Sequence, residues 1–118
     1  MTVLRIVTNI AAKDTADATM FYQNLLGLEV VMNHGWIVTL SSGKTMYTQL
    51  SVATEGGSGT SVPDISIEVY NVNEIHLRAK SAGLDIVYEI TDEPWGVRRF
   101  YVRDPLGKVV NILEHTET

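Results

Sequence analysis

The chain has 118 residues, 45% of them hydrophobic, which is the size and composition of an ordinary globular domain with its own core. Fourteen acidic residues against nine basic ones give a formal net charge of -5, and the basic residues are scattered, so no basic stripe can neutralise a phosphate backbone. The absence of cysteine excludes disulfides, thiolate nucleophiles and cysteine-ligated zinc.

Nothing in the sequence predicts a membrane partner. No apolar run approaches the roughly 20 residues that a spanning helix needs. The first residues, Met1 to Arg5, show no basic segment followed by an apolar core and a cleavage site. We therefore expect a soluble, cytoplasmic protein that has neither nucleic acid nor membrane as a partner.

The first half of the chain is predicted to form one helix and four strands. A strand is predicted for residues 3–10 and a helix for residues 15–26, where Asp14 suits the N-cap and Gly27 the C-terminal end. Three further strands are predicted for residues 28–33, 36–40 and 45–53, because turn residues separate these runs. The order is therefore strand, helix and three strands.

A glycine-rich stretch at residues 55–61 divides the chain near its middle. Its residues are small and polar, so we expect a flexible surface loop, a linker or mobile lid, that buries nothing. It has no lysine and no strand-to-helix context, which excludes a phosphate-binding loop.

The second half repeats the order of the first. A strand is predicted for residues 64–70, then Asn71 and Glu74 form a capping box that opens a helix ending at Gly83, and three strands follow. The simplest interpretation is an α+β fold of two tandem βαβββ units, halves 1–54 and 62–118, in one domain spanning 1–118. A ferredoxin-like α+β sandwich would share some of these elements. Each unit alone leaves a sheet face uncovered, so we expect the units to combine and the chain to form a homodimer.

Two motifs carry a family resemblance. Phe21-Tyr22 is followed by Leu26-Gly27-Leu28, and the strand-like run before the last strand leads into Asp104-Pro105-Leu106-Gly107. This pattern resembles the vicinal oxygen chelate superfamily, which includes glyoxalase I, bleomycin resistance proteins and extradiol dioxygenases. The resemblance implies a curved mixed sheet around a cleft whose floor holds a divalent metal in the enzyme members.

The resemblance also implies metal ligands on the first and last strands of each half. In this chain those places hold Val7, Gln49, Asp64 and Asn111. A divalent ion prefers several converging carboxylates or imidazoles, and this set offers one carboxylate. We therefore expect no metal and no other cofactor, as in bleomycin resistance proteins.

Strand alternation and turn pairing predict which side chains face the cleft. Pairing Arg103 with Lys108 would place Phe100 opposite Asn111, and pairing Leu40 with Thr45 would place Trp36 opposite Gln49. The residues predicted in this way, together with an aromatic residue in the loop before strand seven, are Trp36, Tyr47, Gln49, Asp64, Glu68, Trp95, Arg98, Phe100 and Asn111. The alternative roles are core or interface packing for Trp36 and Phe100, a loop plug for Trp95, and a structural ion pair for Arg98.

The first strand alternates in the same way. Leu4, Ile6 and Ile10 form its more apolar face and are expected to meet the helix, whereas Arg5 is expected to face the cleft with Val7.

The predicted function is metal-independent binding of a small aromatic or planar molecule, such as an antibiotic that is sequestered for resistance. The alternative is a glyoxalase-type lyase, isomerase or dioxygenase with an atypical divalent metal site. A third hypothesis is a metal-free enzyme that uses Asp64 or Glu68 as a base and Arg98 as an electrophilic partner. No catalytic residue is assigned.

Overall fold

The computed structural model describes residues 3–42 and 49–116. Within these ranges the chain is α+β and runs through the order βαβββ twice. The first set comprises β1 Val3–Ala11, α1 Thr15–Leu26, β2 Glu29–Asn33, β3 Ile37–Ser41 and β4 Gln49–Ala53. The second set comprises β5 Ile65–Val69, α2 Val72–Ser81, β6 Ile86–Glu93, β7 Val97–Arg103 and β8 Val109–His115. Neither helix is long and apolar enough to cross a membrane.

The chain folds into two compact units. The N-terminal unit comprises Val7–Val62, and the C-terminal unit comprises the chain from Pro63 onward together with the beginning of β1, through Ile6. Each unit has its own buried cluster of apolar side chains.

The sheet of the N-terminal unit has the strand order β2-β3-β4-β1, in which only β4 and β1 are parallel. Val38, Leu40 and Val52 form its buried core, on which Ala18 and Tyr22 of α1 pack. Gln49 pairs with Ser41 in the register of β3 and β4. The predicted pairing of Gln49 with Trp36 was therefore wrong by five positions along β3. Tyr47 lies outside the described residues.

Local capping determines where α1 begins and ends. The Asp14 carboxylate accepts a hydrogen bond from the Ala16 N–H at 2.7 Å, and Gly27 has the left-handed φ of 68° that suits a residue without a Cβ. Both predicted ends of this helix are confirmed.

The sheet of the C-terminal unit has the strand order β5-β8-β7-β6, in which β5 and β8 are parallel. Its core lies between α2 and the sheet and contains Val69, Val72, Ala79, Phe100 and Ile112. Phe100 pairs with Ile112, and Tyr101 pairs with Asn111, so the predicted register of this hairpin was wrong by one residue.

The turn before β8 explains the register. The Asp104 carboxylate accepts hydrogen bonds from the N–H groups of Leu106 at 2.8 Å and Lys108 at 2.9 Å. This bonding holds Lys108 inside the turn, so Arg103 pairs with Val109 instead.

The predicted capping box of α2 is not formed. The Asn71 amide makes no bond to the helix N–H groups and donates to the Glu74 carboxylate at 2.6 Å. The Val72 N–H donates instead to Glu114 Oε1, at 3.0 Å, on β8. The helix start is therefore capped by a residue far away in the sequence. Its C-terminal end is reached just before Gly83, as predicted.

The glycine-rich stretch at residues 55–61 is a closed turn, and the prediction that it buries nothing was wrong. Gly56 and Gly57 are buried. The N–H of Gly56 donates to the carbonyl of Thr60 at 2.8 Å, and the N–H of Thr60 donates to the carbonyl of Gly57 at 3.0 Å. Backbone enclosed in this way needs such internal hydrogen bonds.

The prediction that the apolar face of β1 meets the helix was also wrong. Leu4, Ile6 and Ile10 are 61%, 54% and 37% exposed, whereas Val7 on the other face is 6% exposed. The reason is that α1 packs mainly on β3 and β4, so it does not cover this strand.

Candidate functional site

The sheet of the C-terminal unit has one apolar face and one polar face. The apolar face carries Phe100 and Ile112 and is covered by α2. The opposite face, here called the polar face, alternates with it along each strand. Its polar and aromatic side chains are those of Arg5, Ser66, Glu68, Tyr88, Glu93, Arg99, Tyr101, Asn111 and His115, with Trp95 in the turn between β6 and β7. Two buried apolar residues, Val97 and Leu113, lie on the same face.

Asn111 lies in the centre of the polar face. In the strand register it is flanked by Ser66 on β5 and Tyr101 on β7. Its side-chain N–H donates to Ser66 Oγ at 3.1 Å, while its Oδ1 is buried and has no hydrogen-bond partner. A buried acceptor without a donor costs about 1–3 kcal/mol. The Asn111 amide is therefore a place where a ligand N–H or O–H would be stabilising.

Glu68 is held on both of its carboxylate oxygens. Arg5 Nε lies 2.9 Å from Oε1, and His115 Nδ1 lies 2.8 Å from Oε2. The Glu68 side chain is only 18% exposed, whereas the His115 side chain is 49% exposed. The three residues form a chain in which Arg5 fixes Glu68 and Glu68 orients the imidazole.

Arg99 and Glu93 form a buried ion pair between the strands. Arg99 Nε lies 2.6 Å from Glu93 Oε2, and the two side chains are 4% and 2% exposed. The Tyr88 hydroxyl donates to the same carboxylate oxygen at 3.0 Å. The guanidinium carbon lies 5.2, 5.1 and 5.0 Å from the ring centres of Tyr88, Trp95 and Tyr101. Cation–π contacts and the carboxylate together compensate for the burial of this charge.

Three of the predicted site residues, Glu68, Trp95 and Asn111, lie on the polar face. Two others do not. Phe100 is fully buried beneath α2, where its ring centre lies 5.0 Å from that of His76. Its predicted position opposite Asn111 was therefore wrong, and its core role is the correct one.

Arg98 likewise lies on the α2 side of the sheet. Its Nε donates to Asn73 Oδ1 of α2 at 2.8 Å, and its guanidinium pairs with Asp92 at 3.1 Å. A register error of one residue exchanges the two faces of a strand. Arg99 and Tyr101 therefore occupy the face that was predicted for Arg98 and Phe100, and sequence reasoning missed both.

The remaining predicted residues are spread over the two units. Asp64 is exposed, and its carboxylate accepts a hydrogen bond from the Val109 N–H at 2.8 Å, which joins β5 to β8. In the N-terminal unit the Trp36 ring stacks on His34 with ring centres 6.2 Å apart. Gln49 is half-buried on β4.

The four places where the family resemblance implies metal ligands do not fit a divalent ion. Val7 has no donor atom, the Asp64 carboxylate accepts a hydrogen bond from the Val109 N–H, and Gln49 and Asn111 offer only neutral amide oxygens. Across residues 3–42 and 49–116, no three His, Asp or Glu side chains converge as a metal site would require.

The family is shown by a match over almost the whole chain. Residues 4–112 match the family model of the Glyoxalase/Bleomycin resistance protein/Dioxygenase superfamily. The chain belongs to this superfamily. The duplicated βαβββ order is therefore the family fold, as the sequence motifs predicted.

Solved structures similar to this superfamily member share its fold. One from Legionella pneumophila, described as an NAD-dependent benzaldehyde dehydrogenase, has a TM-score of 0.78 at 18% identity and covers 94% of this chain and 99% of its own. Streptomyces coelicolor methylmalonyl-CoA epimerase, solved with 2-nitronate-propionyl-CoA, has a TM-score of 0.71 at 20% identity. The match covers 98% of this chain and 97% of the epimerase chain. A superfamily member from Vibrio splendidus 12B01 has a TM-score of 0.63 at 18% identity. The match covers 94% of this chain and 98% of the Vibrio chain. No curated protein matches the sequence.

Proposed function

We propose that this superfamily member binds a small planar molecule on the polar face of its C-terminal unit, without a metal. The observation that carries the proposal is the buried Asn111 Oδ1, an acceptor without a donor in the centre of that face. A ligand that supplies an N–H or O–H would remove the cost of burying this oxygen. The four unsuitable ligand positions support a binding role that needs no metal.

The surroundings of Asn111 favour an aromatic ligand. Tyr101 is its neighbour in the strand register. The rings of Trp95 and Tyr88 contact the adjacent guanidinium of Arg99. Aromatic rings of this kind provide stacking area for planar organic molecules. From Asn111 to His115 the face extends over four strand residues, which is roughly 13 Å and matches two fused rings with a substituent.

The test compares two naphthalene probes that differ in one hydrogen-bond donor. The first is 2-naphthamide, which has an N–H, and the second is 2-acetylnaphthalene, which has the same shape but no N–H. Titrations are followed by calorimetry and by the fluorescence of Trp95 in a Trp36→Phe background, where it is the remaining tryptophan of the two. We expect the amide to bind about fivefold to tenfold more tightly, because one buried hydrogen bond contributes roughly 1–1.5 kcal/mol.

Asn111→Leu is expected to abolish the preference for the amide, because the variant keeps a branched side chain of four heavy atoms and removes the acceptor. Asn24→Leu is the matched control, since Asn24 is exposed on α1 in the other unit. Equal affinities of the two probes in the parent protein, or no binding of either, would contradict the proposal.

We propose that the biological role of this binding is to sequester an antibiotic. Cells expressing the protein should then tolerate a planar antibiotic that the purified protein binds, and cells expressing Asn111→Leu should lose part of that tolerance. Equal growth of both strains at every drug concentration would argue against resistance as the role.

A further inference from the structure

We propose that His115 and Glu68 form a proton-accepting pair that selects ligands with an acidic hydroxyl, of the phenol class. This inference rests on the proposed function of the polar face. It specifies which chemical group of the ligand lies beside His115, at the C-terminal end of β8. It follows from the geometry of two titratable side chains that come from strands β5 and β8, 47 residues apart in the sequence.

The Glu68 carboxylate determines which nitrogen of His115 carries the proton. Glu68 Oε2 lies 2.8 Å from Nδ1 of the imidazole. A carboxylate accepts hydrogen bonds and does not donate them, so Nδ1 holds the hydrogen and Nε2 has the lone pair. The His115 side chain is half exposed, so a ligand has access to the ring.

Arg5 makes the carboxylate a fixed partner. Its Nε lies 2.9 Å from the other oxygen of Glu68, so the carboxylate cannot turn away from the imidazole without losing this pair. Among the described residues, Glu68 from β5 and Arg5 from β1 are the charged groups that the contacts place around the His115 ring.

The proposed step is one proton transfer. A phenol O–H points at Nε2, the O–H bond breaks, and the N–H bond forms at Nε2. The electron pair of the broken bond stays on the oxygen, so the ligand is held as a phenolate against an imidazolium. The new positive charge lies between the phenolate and the Glu68 carboxylate. No oxidant, reductant or leaving group is needed.

The test uses 4-nitrophenol, whose phenolate absorbs visible light, and 4-nitroanisole, which has a methyl group in place of the acidic hydrogen. Calorimetry measures the binding of both, and absorbance measures the ionised fraction at a pH where the free phenol is mostly protonated. We expect bound nitrophenol to be largely phenolate and to bind roughly tenfold more tightly than nitroanisole, as charge-assisted hydrogen bonds allow.

Three variants separate the pair from other causes. His115→Gln keeps hydrogen-bonding groups but cannot accept a proton, so bound nitrophenol should lose the phenolate absorbance. Glu68→Gln should lower the phenolate fraction, because the imidazolium loses its counter-charge. His34→Gln, in the N-terminal unit, should leave both readings unchanged.

A further measurement does not depend on any variant. In protein with ¹⁵N-labelled histidine, nitrophenol should shift the Nε2 signal of His115 to that of a protonated nitrogen, while the signals of His34 and His76 stay in place. Equal affinity for nitrophenol and nitroanisole, or an unchanged phenolate fraction in His115→Gln, would overturn the proposal. The naphthamide comparison at Asn111 would still decide the binding function by itself.

Discussion

Arg99 shows what a single residue contributes to this fold. Its charge is buried among Tyr88, Trp95 and Tyr101 and is compensated by Glu93 at 2.6 Å. A buried pair of this kind is expensive to break, because removing one partner leaves the other charged and without compensation. The pair therefore holds the turn between β6 and β7, and with it Trp95, in a fixed place on the polar face.

Glu93→Gln is expected to lower the free energy of unfolding by about 3–5 kcal/mol, because Arg99 would keep its charge in a buried environment. Asp85→Asn is the matched control: it removes the charge from an exposed pair with Arg103, 3.1 Å apart, and should cost less than about 1 kcal/mol. Urea unfolding measures both values. Similar losses for the two variants would show that burial does not determine the strength of the Arg99 pair.

At the scale of elements, α2 is attached to the sheet at its first residue. The Val72 N–H donates to Glu114 of β8, which replaces the local cap that α1 has in Asp14. A helix start has N–H groups that need acceptors, and either a neighbouring side chain or a distant one can supply them. In α2 the cap thereby couples helix formation to the docking of β8.

Glu114→Ala should therefore destabilise the protein by about 1 kcal/mol, the usual cost of losing a cap, and Asp14→Ala should cost about as much at α1. Asn71→Ala should cost less than half of this, because the Asn71 side chain makes no bond to the helix N–H groups. Thermal or urea unfolding compares the three variants. A larger loss for Asn71→Ala than for Glu114→Ala would indicate that α2 is capped locally after all.

The first turn of α2 also makes stability depend on pH. The hydrogen bond from Asn71, followed by the charge of Arg78, lowers the pKa of Glu74 below its usual 4.5. Because the folded pKa is below the unfolded one, the carboxylate contributes stability above the unfolded value and loses this contribution as the pH falls through the folded value. The stability difference between the parent protein and Glu74→Gln should therefore be present at neutral pH and disappear in acid. A difference that grows as the pH falls would have the wrong sign.

At the scale of the whole molecule, α1 has an apolar surface that its own unit covers only in part. Ala18 and Tyr22 pack on the core, whereas Met20, Phe21, Leu25 and Leu26 are 56–65% exposed. Large exposed apolar side chains on one helix are typical of protein interfaces. We propose that a second copy of the chain covers them, which would give the homodimer expected from the sequence.

Phe21→Glu combined with Leu25→Glu should convert a dimer into a monomer, because two charges would be buried at the interface. Leu77→Glu is the control, since Leu77 is similarly exposed but lies on α2. Sedimentation equilibrium measures the mass of each protein. A monomeric parent protein, or a dimer that survives both charges, would contradict the proposal.

The sequence alone was sufficient for the order of elements and for the ends of α1, because periodicity, Asp14 and Gly27 act over a few residues. It was also sufficient for the superfamily. The two predicted hairpin registers were wrong. They depended on how many residues each turn takes up, and the carboxylate of Asp104 keeps Lys108 within the turn.

Only the tertiary structure determined the composition of the polar face. A shift of one residue replaced Arg98 and Phe100 with Arg99 and Tyr101, since neighbouring side chains of a strand point to opposite faces. Contacts over long sequence distances, such as Glu68 with His115, have no local signal in a single sequence. The residues that would hold a ligand are brought together by pairing between strands, whereas the helices and strands themselves are specified by their near neighbours in the chain.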